Sequence, residues 1–279
     1  MPGLFDDGAG LLFEYVDADE AEFLHQEIFV RRSYEAHGVT LPIKARSVII
    51  DLGANIGLFS LLASRVNADA TIIAVEPSPA AFVALERNLS ALPTAQCLQL
   101  AVRDRAGKTA LTCYPDAPGE SSCNPRERQL QRARLRAAAP AATTSTADTA
   151  GTSTADAVTH AVEAVTLSSL MDRLRLGKID LLKIDVEGDE LKVLHGLSSA
   201  HFRRIRQVAA EVHDQCGRLK KFVDLLRRHG FRVAVQPQCG GDVAGYRMVV
   251  PRELQLFYVY AVRRPRSTRA PKTPSRMRC

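Results

Sequence analysis

Val48-Ile49-Ile50-Asp51-Leu52-Gly53-Ala54-Asn55-Ile56-Gly57-Leu58-Phe59-Ser60 is an apolar run that ends in an acid and turns through two glycines into a second apolar run. The β-branched start without polar alternation marks a strand covered on both faces. Gly53 permits a tight turn and close approach of a ligand to the backbone. Gly57 lets the next helix, residues 57–66, pack closely on the sheet. A second buried strand, Thr71 to Val75, ends in Glu76-Pro77-Ser78, and Pro79 suits the first turn of a helix over 79–89.

The alternation continues outward in both directions. Strands are expected over 97–102, 109–114, 179–184 and 207–212, with a helix over about 189–196 between the last two. Leu219, Phe222, Val223 and Leu226 recur at helical spacing in 218–229, with Gly230 as the stop. Residues 231–235 and 256–262 read as a closing pair of strands. Upstream, 20–37 reads as one helix with Phe23, Ile28, Phe29 and Tyr34 as packing residues and Gly38 as its stop. Repeated β-α-β units specify an α/β fold: a doubly wound, mostly parallel, seven-stranded Rossmann-like sheet with helices on both faces. Ligands in such sheets bind outside the carboxyl ends of the strands, at the switch point.

A dinucleotide site would show G-x-G-x-x-G, which seats a pyrophosphate on the helix N-terminus. Only Gly53 and Gly57 are present here, and Asp51 precedes the turn. An acid there suits a ligand with a cationic amino-acid end better than one with phosphates. Glu76, closing the second strand, suits a ribose diol, because one carboxylate accepts both hydroxyl hydrogens. Together these residues favour S-adenosylmethionine over NAD(P). The expected cofactor contacts are Asp51, Gly53, Ala54, Asn55, Gly57, Leu58 and Phe59 around the first turn, then Glu76, Pro77 and Ser78. Ala101 and Val102 would flank the adenine, and Tyr34 and Asp185 complete the set.

A second cluster, Ile179-Asp180-Leu181-Leu182-Lys183-Ile184-Asp185-Val186-Glu187-Gly188-Asp189-Glu190, places a lysine inside an apolar strand and acids at its end. A charge in a buried strand needs a partner, so Lys183 is expected to neutralise one of these acids. Asp189 and Glu190 also fit the first turn of a helix, where the dipole favours acids.

With these pieces in view, the chain resembles the FkbM-type methyltransferases. The resemblance rests on Asp51-Leu-Gly-Ala-Asn-Ile-Gly57, Glu76-Pro-Ser78 and Leu182-Lys-Ile-Asp-Val-Glu-Gly188. Glu27-Ile28-Phe29, Tyr34, His37-Gly38 and Glu211-Val212-His213 extend it over about residues 20–262. It implies a class I methyltransferase fold and methylation of a hydroxyl on a small-molecule, sugar or polyketide-like metabolite, at times beside a biosynthetic enzyme complex. Two departures are Ser168, where the family often has Asp, and an insertion at about 126–161. Methyl transfer to an alcohol calls for a base near the methyl group. His213 and Asp185 are the candidates, His213 having the more suitable ordinary pKa. Asp185, Glu187 and Glu211 could hold a divalent cation such as magnesium, since hard cations prefer carboxylate oxygens. The rival readings are a degenerate binding module of the same fold and an NAD(P)-dependent oxidoreductase.

The chain has 279 residues and a net charge of +6. The excess sits in two places, 126–136 and 263–279, which leaves the rest mildly acidic. Nucleic acid is therefore not the expected partner, and the Pro-Pro-Tyr type signature of amino-directed enzymes is absent. Residues 1–19 read as a flexible N-terminus, 126–161 as a disordered Ala/Thr/Ser-rich insertion, and 263–279 as a basic disordered tail around a single domain at 20–262. No apolar run is long enough to cross a bilayer. The six cysteines form no C-x-x-C pair, so free thiols in the cytoplasm are expected.

Overall fold

The computed structural model describes residues 3–114, 118–124, 157–238 and 256–264. Its centre is a seven-stranded sheet. Strands β3 (Val48–Leu52), β4 (Thr71–Val75) and β5 (Ala95–Leu98) run to one side, and β9 (Leu181–Ile184), β10 (Gln207–His213), β12 (Leu256–Arg263) and β11 (Phe231–Pro237) to the other. The order is β5-β4-β3-β9-β10-β12-β11, and β12 alone runs antiparallel to its neighbours. The chain reverses its direction of winding between β3 and β9, so the switch point lies at their carboxyl ends. There Gly53 adopts φ +69°, and a side chain on it would run into the carbonyl of Asp185. The glycine is thus demanded by the close approach of two strand ends.

The strand alternation builds two cores. Ile50, Leu52, Ile73, Val75, Leu182 and Ile184 pack on one face; Ile49, Ile72 and Leu181 join Phe59 and Tyr34 on the other. Each such side chain contributes roughly 1.5–3 kcal/mol on burial. Helices α2 (Leu58–Val66) and α3 (Pro79–Leu89) follow β3 and β4 as expected. Gly57, at φ +93°, lies against Leu85 and Leu89 of α3, so its smallness serves helix–helix packing more than helix–sheet packing.

Several expectations need correction. The third strand is two strands: β5 ends at Leu98, and β6 (Ala101–Arg103) leaves for a side sheet of order β6-β8-β7, formed with β7 (Gly107–Cys113) and β8 (Val158–Thr166). Residues 158–161, read as disordered, are the start of β8; residues 126–156 and 265–279 lie outside the described residues. The N-terminal segment 3–15, read as flexible, has regular structure. It forms a hairpin of β1 (Gly3–Asp6) and β2 (Leu12–Tyr15), whose Leu11 and Phe13 are buried in the core.

The helix read over 20–37 is much shorter. Helix α1 (Ala18–His25), capped by Asp17, passes into a π-turn at Gln26–Val30, where the Arg31 N–H reaches back to Gln26 O. The wider turn brings Glu27 and Ile28 inside together, and Arg32 at φ +54° ends it. Tyr34 then enters the core from the turn that follows.

Among the described residues, no helix is long and apolar enough to cross a membrane, and Cys97, Cys113, Cys123 and Cys216 are free.

Candidate active site

The carboxyl ends of β3, β4 and β9 open into a cavity of about 630 Å3. Gly53, Ala54, Asn55, Leu58, Phe59, Glu76, Pro77, Ala101 and Val102 all line it, as do Tyr34, Asp185, Glu187 and Glu211. Four anticipated residues stand behind its wall instead. Asp51 is fully buried, Gly57 packs on α3, Ser78 is buried beneath the turn, and His213 is 3% exposed.

Asp51 and Lys183 are register partners on neighbouring parallel strands, so their side chains leave the same face side by side. Lys183 Nζ lies 3.2 Å from Asp51 and 3.4 Å from Asp185, and donates to the Gly53 carbonyl at 2.8 Å. Burial alone would discharge the ammonium, but the two carboxylates outweigh it and its pKa stands above the ordinary lysine value. Asp51 also accepts from Ser60 Oγ at 2.8 Å. Its place is therefore taken by the protein, and the acid before the turn anchors Lys183 instead of facing a ligand.

Glu76 is nearly buried and receives one backbone N–H on each oxygen, from Asn55 at 2.9 Å and Ser78 at 2.8 Å. Each oxygen keeps a lone pair for a further donor. Burial pushes its pKa up to about 7, against those two N–H groups. Asn55 holds φ +49°, and its side chain donates to Glu20 of α1.

The far wall is acidic. Tyr34 donates to Asp185 Oδ2 at 2.8 Å. Burial raises the Asp185 carboxyl although Lys183 pulls it down. Glu211 stands well above the carboxylate range, through burial first and then the charges of Asp185 and Glu27. Glu27 is raised by burial too; it accepts from Tyr258, and Gln238 donates to Glu27, Glu211 and the Tyr258 hydroxyl. Behind this wall, His213 sits between Glu187 (Nε2 at 3.2 Å) and Glu190 (Nδ1 at 3.0 Å). Burial opposes charge on the ring, but the two carboxylates hold its pKa well above the ordinary value.

Glu187, Glu211 and His213 each offer one ligand atom, all within 4.8 Å of one another, so this set rather than Asp185-Glu187-Glu211 is where a cation could be held. An imidazole ligates only as the neutral ring, so a cation there must displace the Nε2 proton that faces Glu187.

Sequence reasoning missed Glu20, Glu27, Glu190 and Gln238 as parts of the site. Glu27 was within reach, since it belongs to the Glu27-Ile28-Phe29 segment of the family resemblance. Glu190 was read as a helix starter. Glu20 and Gln238 acquire their roles from partners far away in sequence, and no local pattern marks them.

Residues 51–233 match the profile of the methyltransferase FkbM domain. The chain is similar to the 31-O-demethyl-FK506 methyltransferase FkbM of Streptomyces tacrolimicus, 39% identical over 81% of this chain and 88% of that protein. It is similar to the methyltransferase sdnD of Sordaria araneosa, 36% identical over 77% of this chain and 83% of that one. A stretch making up 11% of the AMB antimetabolite synthetase AmbE of Pseudomonas aeruginosa is 33% identical over 79% of the chain.

Proposed function

The chain belongs to the FkbM methyltransferase family, and on that footing we propose that it transfers a methyl group from S-adenosylmethionine to a hydroxyl of a small-molecule, sugar or polyketide-like metabolite. The observation that supports the donor is Glu76. It is a nearly buried carboxylate at the switch-point cavity, fixed by one N–H on each oxygen and able to accept two more hydrogens, as a ribose diol requires. Ala101 and Val102 supply an apolar wall for the base, and Gly53 and Ala54 present backbone to the donor's amino-acid end. When bound, the donor supplies a methyl group on a sulfonium, whose carbon–sulfur electron pair stays on sulfur as the acceptor oxygen takes the carbon.

The chain's own part is to hold that oxygen in line and to take its proton. Positioning of this kind supplies ~7–11 kcal/mol of the barrier. Asp185 is the proposed base: it lines the cavity, Tyr34 and Lys183 fix one oxygen, and burial keeps its carboxyl more basic than usual. His213 acts one step back, holding Glu187. A divalent cation would enter at Glu187, Glu211 and His213. The oxygen specificity rests on the resemblance of the chain to an enzyme named for 31-O-demethyl-FK506.

Calorimetric titration with S-adenosylmethionine and S-adenosylhomocysteine, with NAD and NADP as controls, tests the donor. Micromolar binding of the sulfur ligands alone is expected; binding of a nicotinamide ligand instead would overturn the reading. Assays on hydroxylated acceptors, with and without magnesium, then test Asp185→Asn, which should lower kcat by about 100-fold or more with donor affinity retained.

A further inference from the structure

Glu20 lies outside every motif that marks the family, yet it joins three separate parts of the cavity wall. One carboxylate oxygen accepts from the side-chain amide of Asn55 at 2.5 Å, and the other accepts from the backbone N–H of Gly119 at 2.9 Å. Glu20, Asn55, Glu76 and Gly119 all line the cavity. A Cβ on Gly119 would meet the Glu20 carboxylate, so a side chain there would push Glu20 from its place. Among the described residues Glu20 has no Lys or Arg at ion-pair distance; its partners are two neutral N–H donors. A half-buried carboxylate without a cation relies on its hydrogen bonds, so Glu20 holds Asn55 and Gly119 as firmly as they hold it. Asn55, held at its outer end by Glu20, presents its own N–H to Glu76 at its inner end.

We propose that Glu20 is a positioning residue for donor binding. By gripping the Asn55 side chain it fixes the left-handed turn at Asn55 (φ +49°), and thereby the carboxylate of Glu76 that receives the donor's ribose. Through Gly119 it ties the turn at Pro118–Glu120 to the same unit, so that the donor side and the neighbouring wall form together. This rests on the proposed function, because it takes S-adenosylmethionine as the ligand of Glu76.

The test is a double-mutant cycle on S-adenosylhomocysteine affinity, read by calorimetry, with thermal unfolding of each variant as the control for folding. Glu20→Ala should weaken binding about tenfold, about the worth of one hydrogen bond to a charged group. Glu20→Gln keeps one acceptor for two donors and should fall between, which keeps the test open if the alanine variant unfolds. If Glu20 acts through Glu76, the Glu20→Ala/Glu76→Ala double variant binds no more weakly than Glu76→Ala alone. Multiplying losses would show that Glu20 serves elsewhere, and unchanged affinity in both Glu20 variants would overturn the role outright. A wild-type chain that binds no S-adenosylhomocysteine would sink the proposed function as well, so the two failures are told apart by the wild type.

Discussion

His213 Nδ1 lies 3.0 Å from a carboxylate oxygen of Glu190, a side chain with no exposed surface. The acid at the start of helix α4 (Glu190–His195) is thereby the anchor of a buried ion pair, with Arg218 at 3.7 Å as its second cation. Removing one partner of such a pair strands a buried charge. His213→Ala is expected to cost about 3–5 kcal/mol of stability, measured by denaturant titration; a loss under 1 kcal/mol would show that Arg218 suffices. The ring's pKa is raised on folding, so its stabilising contribution is complete below the ordinary imidazole range and is lost as pH rises through the higher folded value.

Lys183 gives a parallel case on the neighbouring strand. Lys183→Met leaves Asp51 and Asp185 without their shared cation and is expected to destabilise by about 3–5 kcal/mol. Adding Asp51→Asn should restore part of that loss, with a coupling of roughly 0.5–3 kcal/mol between the two positions. Strictly additive effects would mean that Asp51 is held by Ser60 alone.

Glu76 sets a pH dependence of the same sense in a lower window. Its carboxyl is raised from the ordinary 4.5 to about 7, so the folded chain keeps a proton there that the unfolded chain has released. Stability therefore falls as pH rises between those two values, by up to about 3 kcal/mol from this group. Glu76→Gln should flatten that part of the curve, read as the difference between the two proteins' unfolding midpoints from pH 4.5 to 7.5. Parallel curves would contradict the shift. Glu76→Ala should also weaken S-adenosylhomocysteine binding by at least tenfold.

Gly53→Ala asks for a left-handed turn and a methyl group where the Asp185 carbonyl already stands. The strand ends must separate to admit it, and a loss on the order of 4 kcal/mol is expected. A thermal midpoint within a few degrees of the wild type would show that the switch point is more yielding than its packing implies.

The sheet was legible because its strands are buried on both faces and so read as unbroken apolar runs, and because Gly53, Glu76 and Pro79 punctuate them. What escaped was set by distance. The break after Leu98 is invisible in an apolar stretch, since whether Ala101 pairs with β4 or with β8 depends on a strand some sixty residues away. The π-turn at Gln26–Val30 follows from the need to bury Glu27 beside Tyr258, a partner at the other end of the chain. Asp51 was assigned to a ligand because its acid stood at the right place; only the register with Lys183 reveals that another side chain had already claimed it.

The side sheet carries one more implication. Its antiparallel register sets Cys113 beside Val158, so the fold itself holds together the two ends of all that lies between them. The cost of closing a loop grows only with the logarithm of its length. Gly119, Glu120, Ser121 and Cys123 fall inside that closed span and line the cavity, so the pairing of β7 with β8 secures one wall of the site as well as a sheet edge.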